Sequence, residues 1–400
     1  MIGHASLQVA SGWFGVVPVP RFDQISMFRF KEDDMRFRIS RLGLMSAAVA
    51  GVCALPVAFA GANAESAITL TPMKMAGQFL GKKKHKTATD LSGISCMAPN
   101  GASRICLAVN DENKNAQFVS IEANQITVGQ PVTLIGDARD DEHTLGSPPT
   151  KVGCSAGPGG FADFDGEGVA FSAPYFYVVG SHGCSRNANE FRLSSFILAR
   201  IRVDDAGQPA AKDAVQNTYR VSDILKHPGK VSEFFGKDLK TAAGLNIEGI
   251  AVDGDRIWFG LRAPLDKDSN AFLVEASVKD LFEAGHDPSK ATPIAPIPIA
   301  LGKLGIRDLA VLPDKRLLIL AGATERPELP FGIFIFNPED GSKAELGTLP
   351  AVTQVIDNEQ VSGKAEGITV LDMDANNIRA VVLFDGLPEG AAQMAVIPRK

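Results

Sequence analysis

From residue 90 onward, apolar and polar positions alternate with a period of two in short runs closed by Gly, Asp, Asn or Pro. That pattern predicts strands joined by tight turns. Five runs share one grammar, a polar or acidic residue, a small or apolar one, then alternating β-formers. They are "LSGISCM" from Leu91, "GEGVAFS" from Gly166, "IEGIAVD" from Ile247, "IRDLAVL" from Ile306 and "AEGITVL" from Ala365. Each is followed by a turn and a second strand, ending near Glu112, Gly183, Pro264, Thr324 and Gly386, and then by a third. Fourth strands are less regular, with candidates in "QPVTLIG", "NTYRVSD", "ATPIAPIPIA" and "KAELGTLP".

Four short antiparallel strands recurring roughly every 60 to 80 residues predict an all-β fold, a β-propeller of five four-stranded blades. The last unit lacks a fourth strand, and "AITLTPMKM" at 67–75 can supply it, pairing beside Gln393–Pro398. Strands from both chain ends would then close the ring and remove an open edge. The segments 136–160 and 219–245 have the length for a sixth blade, although neither carries the repeated word.

The amino-terminal pattern differs. Leu42 to Ala60 is uncharged, follows the basic "MRFRISR" of Met35 to Arg41, and leads into small-residue sites ending at Ala60 and Ala64. We read 35–64 as a secretory signal cut after Ala64, 1–34 as a mis-called upstream start without structure, and 65–400 as a single propeller domain in the periplasm or medium. The 19 apolar residues match a membrane span in length, but their Ala, Gly and Ser content, Pro56 and the tandem small-residue sites favour removal, leaving no stable membrane insertion. Val52 before Cys53, and the apolar run after it, argue against a lipid anchor.

Composition sharpens this picture. A 45% hydrophobic and 22% charged chain can bury a large core, and Gly 39 and Pro 24 suit many turns. Removing residues 1–64 leaves 34 Lys and Arg against 42 Asp and Glu, a net charge of −8. That balance, with "GKKKHK" at 81–86 as the one basic cluster, disfavours nucleic acid. A monomer is expected. Four cysteines remain behind the leader, which suggests two disulfides. Cys96 and Cys106 flank a turn-rich stretch and can face one another across a hairpin, and Cys154 with Cys184 form the second pair.

The first strand of a propeller blade lines the central channel, so a carboxylate at its start faces the axis near one mouth. Glu167, Glu248, Asp308 and Glu366 would form an acidic ring. The second-strand ends bring Asp111, His182, Arg262 and Asp385 to the same rim, with Arg186 and Arg307 nearby. Glu248 and Arg262, at adjoining ends of one strand pair, are expected to meet. Two carboxylates about 6 Å apart repel by roughly 2 to 3 kcal/mol at an effective dielectric near 20. Compensation must therefore come from arginine, histidine, a metal ion or protons. His182 reads either as a structural histidine or as a candidate catalytic base, and the ring as blade-to-blade salt bridging or as a ligand or metal site. "GPGGF" at Gly157 lacks the third glycine and the helix of a dinucleotide site, and no Walker or H-E-x-x-H motif occurs.

"DGEGVAF" with "VVGSHGCSR", "NIEGIAVDGDRIWFGLRAP", "GIRDLAVLPD" and "KAEGITVLD" together resemble a bacterial family known as domain of unknown function 3616. The resemblance implies a propeller-like fold and supplies no activity. More distantly, the E-G-I-A words look like phytase-like esterase and calcium-dependent lactonase propellers, which bind a cation in the channel. That likeness implies calcium held by Glu167, Glu248, Asp308 and Glu366. The first blade departs from the pattern, with Ser92 and Gly93 where a carboxylate is expected and Asp90 two residues earlier. The function expected is an exported propeller binding a small molecule or protein at a carboxylate-rich mouth. The alternative is a calcium-dependent hydrolase of an ester, lactone or phosphoester, and a purely structural module is a third reading.

Overall fold

The computed structural model describes residues 67–399 apart from 82–86, 151, 156–160, 162, 211–213, 228, 291–293 and 326–329. The expected leader, the upstream segment and most of the basic and Gly157 stretches lie outside them.

The five repeated words become five inner strands, Leu91–Cys96, Gly166–Ser172, Asn246–Asp253, Gly305–Val311 and Lys364–Met373. Each packs against the inner strand before and after it, and the fifth returns to the first, so the ring closes. Each inner strand begins an antiparallel sheet that runs outward in sequence order. Blades three and four have four strands each, and blade five borrows Thr69–Pro72 as its outermost, in register with Gln393–Pro398 (Thr69 opposite Val396, Pro72 opposite Gln393). The expected pairing of the two chain ends is therefore present. Blades one and two each gain a short parallel edge strand, Lys74–Ala76 and Thr144–Leu145.

The segments long enough for a sixth blade form none among the described residues. Within 136–160 lies the edge strand Thr144–Leu145, and 219–245 folds into a short helix, Val221–Leu225, and a 3-10 turn, Ser232–Phe234. No helix among the described residues is long and apolar enough to cross a membrane.

The core follows from the alternation. One face of each sheet packs on the next blade, and five apolar clusters result, one per junction. Leu107 and Val109 of blade one meet Val169 and Phe176 of blade two. Tyr177 and Val179 meet Ile250 and Phe259 of blade three. Ala251 and Trp258 meet Leu309 and Ile319 of blade four, Leu318 and Leu320 meet Ile368 and Val382 of blade five, and Val381 and Leu383 meet Leu91 and Ile94. Each Leu, Ile, Val or Phe buried in this way contributes about 1.5–3 kcal/mol relative to exposure. Cys96 and Cys106 are opposed residues of the first hairpin and are bonded, and Cys154 is bonded to Cys184, both as expected.

Candidate functional site at the propeller mouth

All five inner strands carry a break in register at the same point. The unpaired residues are Ser92, Glu167, Glu248, Arg307 and Glu366, each lying between two residues that do pair with the second strand. A bulge re-aims the side chain it carries. It sets these five residues in one tier. The fourth member is Arg307 and not Asp308, which corrects the expected ring by one residue. In a strand, a shift of one residue moves the side chain to the other face.

The next residue in each blade is Gly93, Gly168, Gly249, Asp308 or Gly367. A Cβ on Gly93 would lie 2.9 Å from the Cα of Gly168, and one on Gly168 would lie 2.7 Å from the carbonyl oxygen of Glu248. Glycine is thus what lets the inner strands close around a narrow axis. Asp308 is the exception, and its carboxyl fills the hub. It accepts from the backbone N–H of Leu309 at 2.8 Å and of Ile368 at 2.7 Å, and also from the amide of Ile250. Burial pushes its pKa well up, opposed by those three amides. The residue binds blades three, four and five together and does not line the mouth.

Arg307 is 2% exposed and lies between two carboxylates. Its Nε pairs with Glu248 Oε2 at 2.8 Å, and its Nη2 pairs with Glu366 Oε1. Arg262 Nη1 donates to Glu248 Oε1 at 2.7 Å, so the expected meeting of Glu248 and Arg262 occurs, and Arg262 Nε donates to the Thr324 carbonyl at 2.9 Å. A chain of charge, Arg262, Glu248, Arg307, Glu366, thus crosses three blades. It answers how the ring tolerates its acids, because a guanidinium stands inside it. Burial still raises Glu248 to about 7, against the pull of Arg307 and Arg186.

Above this tier opens a cavity of about 480 Å³. Of the expected site residues, Asp111, Glu167, Arg186, Glu248, Arg262, Glu366 and Asp385 line it; His182, Arg307 and Asp308 do not. His182 is fully buried, with Nδ1 bonded to the Gly180 carbonyl at 2.8 Å and the ring edge-on to Phe196. Burial lowers it to about 4. The residue equivalent to Asp111, Arg262 and Asp385 is Ser181, one step earlier, and Ser181 does line the cavity.

Seven lining residues central to the chemistry, Asp90, Glu112, Asp163, Asp165, Ser181, Arg192 and Lys364, were not among those expected. The signal for three of them was in the repeat. Two residues before the bulge stand Asp90, Asp165, Asn246, Gly305 and Lys364, and side chains at i and i+2 of a strand share a face. The Asp165 carboxyl accepts from the Ser181 hydroxyl, and Lys364 pairs with Asp385 at 2.5 Å. Arg192 pairs with Asp163 at 3.3 Å.

The cavity is lined by nine acidic residues and four basic ones, and its negative charge gathers toward blades one and two. Among the described residues, Asp111, Asp165 and Glu167 form no ion pair. Burial first, then Asp165 and Asp90, drives Asp111 to about 9. Burial also raises Asp165, and burial with Glu248 beside it raises Glu167 well above the carboxylate range. Among the described residues no group of three or more His, Cys, Asp or Glu is arranged to hold a metal ion. The four residues expected to hold calcium do not converge: Asp308 is committed to backbone amides, and the Arg307 guanidinium occupies the place between Glu248 and Glu366. Calcium does not fit that set.

Fold and mouth define a five-bladed propeller with an acidic axial cavity. The chain belongs to the family described as Protein of unknown function (DUF3616), which matches residues 195–394. No curated protein matches it. Among solved structures it is similar to the catalytic domain of a Coprinopsis cinerea GH62 α-L-arabinofuranosidase, with 12% identity and a TM-score of 0.40 over 82% of this chain and 96% of that one. It is also similar to a mannose phosphorylase from Leishmania mexicana, at 12% identity and a TM-score of 0.37 over 82% and 86%. A third is a PQQ-bound aldose sugar dehydrogenase from Streptomyces coelicolor, at 12% and 0.34 over 83% and 98%. Likenesses this distant carry no argument about substrate.

Proposed function

We propose that the protein is an exported binding propeller whose mouth captures a small organic cation in the acidic sector of blades one and two. One observation carries the reading. Arg262, Arg307, Lys364 and Arg192 pair with Glu248, Glu366, Asp385 and Asp163, whereas Asp111, Asp165 and Glu167 share one cavity without an ion-pair partner among the described residues. Such a trio is held neutral by protons or ionised by a cation. A bound ammonium would displace protons from it, so affinity rises with pH. Export rests on the leader pattern and on two disulfides, which persist in oxidising compartments.

Calorimetric titration of the mature protein with methylammonium, putrescine and spermidine, in buffers of unlike ionisation enthalpy, tests the proposal. Expected are binding with proton release, an affinity that increases from pH 6 to pH 8.5, and its loss in the double variant Asp111→Asn/Glu167→Gln. Binding indifferent to pH and to that variant would overturn the reading.

A second reading has its own observation. Glu248 at about 7 and Asp111 at about 9 line one cavity, and carboxyls poised near neutrality suit acid–base hydrolysis of an ester, lactone or phosphoester. Turnover of a chromogenic ester, lost in Glu248→Gln with folding intact, would favour it.

A further inference from the structure

A second compartment of about 470 Å³ adjoins the acidic cavity and carries the opposite balance of charge. Arg186, Lys240 and Arg262 line it against one acid, Glu325, and Leu239 and Leu265 give it an apolar wall. Arg186, Leu239, Asn246 and Arg262 line both compartments. Arg262 is the partition. Its Nη1 is committed to Glu248 on the acidic side and its Nε to the Thr324 carbonyl on the other. Arg186 and Lys240 form no ion pair among the described residues, and Lys240 Nζ donates to Asn187 Oδ1 at 3.1 Å.

We propose that the two compartments together recognise an amino-acid-sized zwitterion, with its ammonium end in the acidic cavity and its carboxylate between Arg186 and Lys240. The proposal rests on the cation reading above for the ammonium end only. The carboxylate end stands on the second compartment. A guanidinium presents parallel N–H donors to a carboxylate, and a lysine adds a point charge beside it. The Leu239 and Leu265 wall suits a short aliphatic linker between the charged ends. A dianion would meet the carboxylates of the first compartment, and a plain diamine would leave Arg186 and Lys240 without a counter-charge.

Two probes that differ by one carboxylate separate the ends. L-Lysine and 1,5-diaminopentane should both bind by calorimetry, lysine at least tenfold tighter. In Arg186→Ala/Lys240→Ala, whose substituted side chains are exposed and lie outside the core, the preference for lysine should vanish, while diaminopentane, with two cations removed from beside its site, should bind no more weakly than before. Equal affinity of the two probes for the wild-type protein would overturn the zwitterion and leave the cation reading standing. Binding of lysine that survives Asp111→Asn/Glu167→Gln but is lost in Arg186→Ala/Lys240→Ala would overturn the cation reading and with it the zwitterion. Failure of both probes would overturn both.

Discussion

Blade four and its neighbours start their inner strands with the same grammar and end with opposite roles. Blades two, three and five present Glu–Gly at the bulge, and their residues line the acidic cavity. Blade four presents Arg307–Asp308 and contributes nothing to that lining. Its arginine lies beneath the cavity, between the carboxylates of blades three and five, and its aspartate fills the hub that four glycines leave open. Even the second strand conforms. Where the other blades have Asp111, Ser181, Arg262 and Asp385, blade four has Gly322, and a Cβ there would come within 3.0 Å of Arg307 Cγ. The lesson is that a ring of like residues is made tolerable by one member that breaks the rule, and that the same member decides which sector is left short of cations.

Removing that member should have the largest effect. Arg307→Leu strands Glu248 and Glu366 without their shared counter-ion in a buried tier, and breaking a buried pair in this way costs about 3–5 kcal/mol. Urea denaturation would measure it. Arg307→Leu/Glu248→Gln/Glu366→Gln should recover much of the loss, whereas an equal loss in both variants would mean that packing, and not charge, holds the tier.

Asp308→Asn comes next. One side-chain oxygen replaces two in a site fed by three backbone amides, and an amide N–H₂ is set against N–H donors. A loss of about 1–3 kcal/mol is expected for the buried groups left unsatisfied. Asp308→Gly, which restores the grammar of the other blades, should be no better, since it removes the acceptor altogether. If Asp308→Gly proved as stable as the parent, the hub bonds would be dispensable.

These two residues also show how much of the molecule could be read from the chain. The five blades, the closure by both chain ends and the disulfides followed from period-two alternation, a repeated word and cysteine spacing, because those signals are local and repeated. The site was legible in kind and misplaced in detail. Asp308 was set in the ring in place of Arg307, and His182 on the rim in place of Ser181, both by one residue. A bulge adds one residue to one strand, so alternation cannot say which of two adjacent side chains faces the axis. Asp163 and Arg192 escaped notice because they sit outside the repeat, on loops of the second blade.

A pH effect separates Asp111 of blade one from His182 of blade two. Asp111 titrates at 3.8 when free and at about 9 when folded. Its contribution to stability is complete below 3.8 and is lost as pH rises toward 9. His182 runs the other way, from 6.5 to about 4 on folding. Its contribution is complete above 6.5 and is lost as pH falls through 4. Melting temperatures from pH 4 to pH 9 should therefore lose part of their alkaline decline in Asp111→Asn and part of their acid decline in His182→Leu. Profiles parallel to the parent in both variants would contradict the assigned burial.

The central claim is that blades one and two are left short of cations while Arg307 serves the opposite sector, and the carboxyl groups themselves report on it most directly. Carboxyl ¹³C NMR, with Asp111 assigned through Asp111→Asn, should show that carboxyl titrating near pH 9 and shifting to lower pH when spermidine is added. An Asp111 that titrates near 4 with no added ligand, and is unmoved by spermidine, would show that the acidic sector needs no cation.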